Sequence, residues 1–202
     1  MKLGIYGGTF SPVHNGHISA ARRFRDEIGL DKLLIIPAKI PPHKSAEGMI
    51  DAIERFHLCE LAFANEEKTE ICDMEIKREG TSFTYYTIKE LRDSGYDDIY
   101  LLVGTDMMMY FDKWHRWEEI LSMCTLVLAL RAVPSESDLE QIKAKINGFR
   151  SENGAKIIEL DISPVDVSST EVREGLKAHR DVSGLIPEKE YGYIINKGLY
   201  ND

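Results

Sequence analysis

Gly7-Gly8-Thr9-Phe10-Ser11-Pro12-Val13-His14-Asn15-Gly16-His17 joins two segments of different period. Before it, Leu3-Gly4-Ile5-Tyr6 is a short apolar run with the character of a strand. After it, Ile18, Ala21 and Ile28 recur at helical spacing. The glycines and histidines therefore occupy a strand-to-helix turn. A helix N-terminus carries unpaired N–H groups and partial positive charge, and glycines ahead of it let a ligand approach the backbone, so the expected guest is an anion such as a phosphate. Neither G-x-G-x-x-G nor G-x-x-x-x-G-K-[ST] is present. What remains is H-x-x-H. With Asn15 as N-cap, His14 stands just before the helix and His17 in its first turn, where imidazoles can donate to phosphate oxygens. The alternative is a capped turn with two surface histidines. Metal ligation needs further partners at fixed spacing, and beyond His43 no obvious set is found.

Outward from this turn, apolar β-branched runs alternate with helical patterns. Leu3 to Tyr6, Leu33 to Ile36, Ile71 to Ile76, Ile99 to Val103, Leu126 to Leu130 and Ile157 to Leu160 read as strands. Helical spacing appears around Ile50, Ile53, Leu61 and Ala64, around Thr84, Ile88 and Leu91, and around Leu139, Ile142 and Ile146. This order predicts a doubly wound α/β fold: a mostly parallel, Rossmann-like sheet with helices on both faces. The 202 residues suit one domain spanning 1–202. With 43% hydrophobic and 29% charged residues and no run of membrane-spanning length, the chain reads as a cytoplasmic protein. Its three cysteines, Cys59, Cys72 and Cys124, look like small core residues. The net charge of −9 argues against a broad nucleic-acid or membrane surface, so a phosphate ligand needs a local pocket.

In doubly wound sheets ligands bind beyond the carboxyl ends of the strands. After the second strand comes Pro37-Ala38-Lys39-Ile40-Pro41-Pro42-His43-Lys44, in which two prolines stiffen a loop that presents His43 and Lys44. The loops at 38–48 and 131–138 are the segments expected to be mobile. Next, Thr81, Ser82 and Thr84 precede or open a helix, either as caps or as a place for a carboxylate. After the fourth strand stand Gly104-Thr105-Asp106 and, eight residues beyond Asp106, Trp114. Asp106 is an N-cap or a ribose ligand; Trp114 is core or a platform for a cationic ring. Arg131 follows the fifth strand. Ser168 and Glu171 fit a capping box, which leaves Ser169, Thr170 and Arg173 at another anion-ready helix start.

Taken together these stretches resemble the HxGH-motif nucleotidyltransferase superfamily, and specifically its bacterial nicotinate mononucleotide adenylyltransferases. The first stretch matches GGTFDPxHxGH except at Ser11, where aspartate is usual. PPHK, G-x-S-[YF]-T with Phe83 for the commoner Tyr, G-x-D-x(7)-W, an arginine after the fifth strand without its usual Pro-Gly, and ISSTxIR follow in order. The resemblance implies AMP transfer from ATP to nicotinate mononucleotide in NAD biosynthesis, with Mg²⁺ accompanying ATP and no metal held by protein side chains. It implies phosphate and catalytic roles for His14, His17, Lys44 and Arg173. Gly7, Gly8, Thr9, Phe10, Gly104, Asp106, Ser169 and Thr170 would bind ATP. His43, Thr84, Trp114 and Arg131 would meet the mononucleotide, the region of Thr84 taking its carboxylate. No nucleic-acid or membrane partner is expected, and a homo-oligomer is compatible with this reading. The closing helix and Gly198-Leu199-Tyr200 are expected to be structural.

Overall fold

A computed structural model describes residues 1–42, 49–130, 135–161 and 167–201. Among them, six strands form one sheet: β1 (Lys2–Gly8), β2 (Lys32–Pro37), β3 (Thr69–Ile71), β4 (Asp98–Gly104), β5 (Thr125–Leu130) and β6 (Ile157–Asp161). The helices are α1 (Asn15–Ile28), α2 (Ala52–Ala62), α3 (Met74–Lys77), α4 (Thr84–Asp93), α5 (Thr105–Met109), α6 (Trp117–Met123), α7 (Glu136–Asn153), α8 (Ser169–Lys177) and α9 (Glu188–Lys197). The strand order is β3-β2-β1-β4-β5-β6, which reverses direction between β1 and β4. The pairings of β1 with β4, β4 with β5 and β5 with β6 are parallel, with Leu101 opposite Leu126 and Leu126 opposite Ile157. This is the doubly wound arrangement that the alternation predicts.

One expected strand is corrected. Only Ile71 of the Ile71–Ile76 run is extended, and Met74–Lys77 forms the short helix α3. The carbonyl of Asp73 accepts the Lys77 N–H at 2.9 Å, and its carboxylate pairs with the Lys77 ammonium at 2.8 Å. A six-residue run in which Cys72, Met74 and Ile76 alternate is too short for its period to separate strand from helix.

The chain divides into two compact units. The first comprises 1–6, 23–33 and 83–164. Its central strands are near-continuous apolar runs, Leu101-Leu102-Val103 and Leu126-Val127-Leu128-Ala129, all buried, as parallel strands covered on both faces require. Helix α7 buries Ile142, Ile146 and Phe149, spaced by about one turn, with the Phe149 ring against those of Phe111 and Trp117. Ser135 starts this helix by accepting the Asp138 N–H at 3.1 Å, and Gly154, at φ +63°, ends it. Each such side chain contributes about 1.5–3 kcal/mol on burial.

The second unit comprises 7–22, 34–82 and 165–202. Its core gathers Leu58 of α2, Val172 and Leu176 of α8, Val182, Ile186, Ile194 of α9, and Tyr200. Cys59 here and Cys124 of the first unit are buried free thiols, whereas Cys72 is half-buried instead of lying in the core; burial pushes Cys124 up to about 12, so it stays protonated. Among the described residues no helix is long and apolar enough to cross a membrane.

Candidate active site

The second unit carries the H-x-G-H loop. Strand β1 extends to Gly8, so both glycines finish the strand instead of lying in the turn. They serve different ends. A Cβ on Gly8 would come within 2.8 Å of the Phe10 ring, which folds back at φ +48° into the core. A Cβ on Gly7 would meet nothing nearer than the Ile36 carbonyl at 4.0 Å, so the fold does not need this residue to be bare.

Helix α1 begins one residue earlier than expected. The His14 carbonyl accepts from Ile18 N–H at 3.3 Å and from His17 N–H at 2.8 Å, so His14 occupies the cap and Asn15 is already helical. The Asn15 amide instead donates to the Gly184 carbonyl at 2.9 Å. His17 Nδ1 accepts the backbone N–H of His14 at 3.1 Å, the reciprocal half of a capping box with imidazole in place of glutamate. With Nδ1 an acceptor, the ring proton of neutral His17 sits on Nε2, which makes that nitrogen a donor. The His14 ring, 4% exposed, lies on His17 with centroids 3.7 Å apart and planes 30° apart. Gly16 makes this possible, since a Cβ there would stand 2.9 Å from His14 Nδ1.

Every turn of the loop is tied to a later part of the chain. Arg55 of α2, 1% exposed, donates to the carbonyls of Thr9 at 2.7 Å and Ala38 at 2.6 Å, and more loosely to those of Lys39 and Ile50. Ser11 Oγ shares a hydrogen bond of 3.1 Å with the Tyr200 hydroxyl. Arg173 donates to the Ser11 carbonyl at 2.7 Å and to Thr170 Oγ1 at 3.2 Å, and Ser169 Oγ donates to the Pro12 carbonyl at 2.9 Å. Glu190 accepts the Val13 N–H at 3.0 Å. Bonds to charged groups are worth about 1.5–3 kcal/mol each, so the loop is pre-formed instead of awaiting a ligand. Ser168 caps α8 by accepting the Glu171 N–H at 3.1 Å, but the return bond from Glu171 is not made and its side chain is exposed.

The first unit holds Thr84, Gly104, Asp106 and Trp114, while Ser82 closes a segment of the second. Phe83 is the N-cap of α4 and makes no side-chain cap bond, which leaves Thr84 as its first residue. Ser82 is not a cap: its hydroxyl accepts from the N–H groups of Lys39 at 2.9 Å and Ile40 at 3.3 Å. Gly104, not Asp106, is the N-cap of α5. A Cβ on Gly104 would lie 2.7 Å from Asp106 Oδ1, so glycine lets the exposed carboxylate fold over the end of β4. Trp114 is half-buried, its ring against Phe111 at 4.9 Å. Lys145 of α7 fixes this segment by donating to the carbonyl of Met109 and to Asp112 Oδ1 at 2.7 Å, and that hydrogen bond holds the Asp112 carboxyl below its ordinary range. His43, Lys44 and Arg131 lie outside the described residues, as do 43–48 of one expected loop and 131–134 of the other, whose residues 135–138 instead cap and begin α7. Among the described residues no group of three or more His, Cys, Asp or Glu is placed to hold a metal ion.

Residues 5–175 match the cytidylyltransferase-like family. A protein of Clostridium novyi named probable nicotinate-nucleotide adenylyltransferase is 38% identical, with 98% of both chains covered. The nicotinate-nucleotide adenylyltransferase of Bacillus subtilis is 32% identical, again with 98% of both covered. This chain belongs to the nicotinate-nucleotide adenylyltransferase family. The fold agrees with that of a solved Plasmodium falciparum nicotinic acid mononucleotide adenylyltransferase, described as complexed with NaAD, at TM-score 0.76, 18% identity, and 99% and 97% coverage of the two chains.

Within this adenylyltransferase the motif residues read from sequence fall into two sets. His14, His17, Ser169 and Arg173 come together in the second unit through the bonds just described; Thr84, Asp106 and Trp114 belong to the first. Sequence reading overlooked Arg55, Glu190 and Lys145, and treated Tyr200 only as part of a structural tail. Two of these left a trace. Arg55 shares the apolar stripe of Leu58 and Cys59, and Glu190 stands four residues from both Ile186 and Ile194. A charge in a buried stripe is costly unless something needs it.

Proposed function

We propose that this chain transfers AMP from ATP to nicotinate mononucleotide, releasing pyrophosphate and nicotinate adenine dinucleotide. The observation that carries the reading is the stacked His14–His17 pair at the start of α1, held by a pre-formed loop in a member of this family. A phosphate-monoester oxygen of the mononucleotide attacks the α-phosphorus of ATP, and the bridging bond to the β-phosphate breaks. That monoester has a second pKa of about 6 and is already ionised at neutral pH, so no general base is needed. The demand on the protein is to bring anions together and neutralise the charge that develops.

In this reading His14 and the Nε2–H of His17 donate to the α-phosphate, and Lys44 and Arg173 counter the β- and γ-phosphates. Gly7, Gly8, Thr9 and Phe10 line the approach along the backbone, with Ser169 and Thr170 at the start of α8. Gly104 and Asp106 receive the ATP ribose by hydrogen bonds to its hydroxyls. The uncapped start of α4 at Thr84 takes the nicotinate carboxylate, and Trp114 stacks on the cationic pyridine ring. His43 and Arg131 contact the mononucleotide phosphate and its surroundings. Mg²⁺ enters as part of the substrate, Mg-ATP, coordinated by phosphate oxygens with few protein ligands. The proposal treats 1–202 as one nucleotidyltransferase domain. It is cytoplasmic, without a nucleic-acid or membrane partner, and a homo-oligomer is compatible with it.

The test is pyrophosphate release from Mg-ATP with nicotinate mononucleotide, nicotinamide mononucleotide and phosphopantetheine offered in turn. Faster release with the acid than with the amide is the expected result, because one carboxylate adds charge-assisted hydrogen bonds. Release with another acceptor alone, or none at all, would overturn the reading.

A further inference from the structure

Glu190 has no part in the proposed chemistry, yet its placement is unusual. It is 0% exposed, and its Oε2 is buried without a hydrogen-bond partner among the described residues. An apolar side chain of similar volume would fill the same space at lower cost in desolvation. What an apolar side chain lacks is the acceptor that Oε1 offers to the Val13 N–H at 3.0 Å. Val13 has no local substitute. The hydroxyl two residues earlier, on Ser11, is engaged with Tyr200.

The same peptide unit is gripped from its other side. The Pro12 carbonyl accepts from Ser169 Oγ at 2.9 Å, while the Val13 N–H donates to Glu190. Carbonyl and N–H share one rigid plane. With α8 holding one edge and α9 the other, the plane cannot rotate, and His14 is the next residue along. We propose that Glu190 is a positioning residue that sets the imidazole of His14 through the Pro12–Val13 peptide. The proposal rests on the reading of His14 as a phosphate donor.

Three variants test it: Glu190→Gln, which keeps the acceptor; Glu190→Leu, which removes it; and Glu190→Asp, which draws the carboxyl back by one methylene. Steady-state pyrophosphate release and amide hydrogen exchange at Val13 are the readouts. A misplacement of about 1 Å in a catalytic group costs roughly 100-fold, so kcat of the Leu and Asp variants should fall about 10- to 100-fold, while both KM values stay within about twofold. The Gln variant should stay within about threefold of wild type and keep Val13 protected from exchange, whereas the Leu variant should lose that protection. Wild-type kcat in a folded Leu or Asp variant, or a Gln variant as slow as the Leu one, would overturn the proposal. If Leu does not fold, the Asp and Gln pair decides. A wild-type chain that releases no pyrophosphate would overturn the proposed reaction; unchanged Val13 protection in a folded Leu variant would overturn the anchor.

Discussion

Replacing Gly16 by alanine separates catalysis from stability at the H-x-G-H loop. Gly16 lies in the first turn of α1, and its φ is not in the left-handed region, so alanine suits the backbone and gains about 0.8–1 kcal/mol of helix propensity. The added Cβ, however, would sit 2.9 Å from His14 Nδ1, 3.0 Å from Cε1 and 3.4 Å from Val167 Cγ1. Ordinary carbon contacts begin near 3.5 Å, so the His14 ring must retreat by roughly 0.5 Å, away from its stack on His17. Small overpacking of this kind costs about 1–3 kcal/mol in a rigid core and less where a ring can swing, so the two stability terms nearly offset. Catalysis has no such offset. At roughly 100-fold per ångström of misplacement, and about 10²–10³ for complete loss of a donor to developing charge, the shift is worth about 10- to 100-fold in kcat. Thermal melting alongside pyrophosphate release at saturating substrates reads both quantities. A folded Gly16→Ala protein with wild-type kcat would refute the assignment of His14, because the displacement is forced by geometry.

His17→Ala should leave the fold intact and lower kcat by about 10²–10³, with smaller changes in the Michaelis constants; a variant as active as wild type removes His17 from the chemistry. For Trp114→Ala the loss should fall on binding of the mononucleotide, by roughly 0.5–2 kcal/mol, and an unchanged affinity measured by calorimetry would return Trp114 to a packing role. Lys145→Met should raise the KM for the mononucleotide more than it lowers kcat, since Lys145 anchors the turn that bears Trp114; equal loss in both would show a different role. Burial holds the Glu190 carboxyl well above its ordinary 4.5, so the folded state binds a proton that the unfolded chain releases. This contribution is fully present below about 4.5 and is lost as pH rises toward the folded pKa. Glu190→Gln should therefore gain stability relative to wild type as pH increases, and parallel melting curves across that range would contradict it.

The sheet was legible because parallel strands covered on both faces are apolar without interruption, as in Leu126 to Ala129. Helices α4 and α7 showed their period through Ile88 and Leu91 and through Ile142 and Ile146, whereas the spacing around Ile50, Ile53, Leu61 and Ala64 missed the buried face of α2, where Leu58 and Cys59 are buried and Ile53 is exposed. Short pieces were harder: α3, four residues long, reads as strand, and α5, five residues long, is expected with its cap at Asp106, two residues beyond Gly104. Half of the loop's logic was also readable. The order of glycine and histidine pointed to a strand, a turn and a helix, but the cap was placed one residue late because asparagine is the commoner cap and His17 was not foreseen as its own capping partner. The acceptors and donors that hold the loop were hidden for a different reason. Arg55 and Glu190 act through the backbone of residues far away in sequence, Tyr200 through the Ser11 hydroxyl, and no local spacing records such bonds.

Those distant bonds bear on the order in which the molecule becomes competent. Pro12 waits for Ser169 across 157 residues, Ser11 for Arg173 across 162, Val13 for Glu190 across 177, and Ser11 for Tyr200 across 189. A growing chain emerges from the ribosome with its first residues leading, at roughly 5–20 residues per second, so the loop spends on the order of ten seconds or more outside before its partners exist. Pairings this remote in sequence are also slow to close once the chain is complete. The H-x-G-H loop is thus synthesised well before the segments that set it.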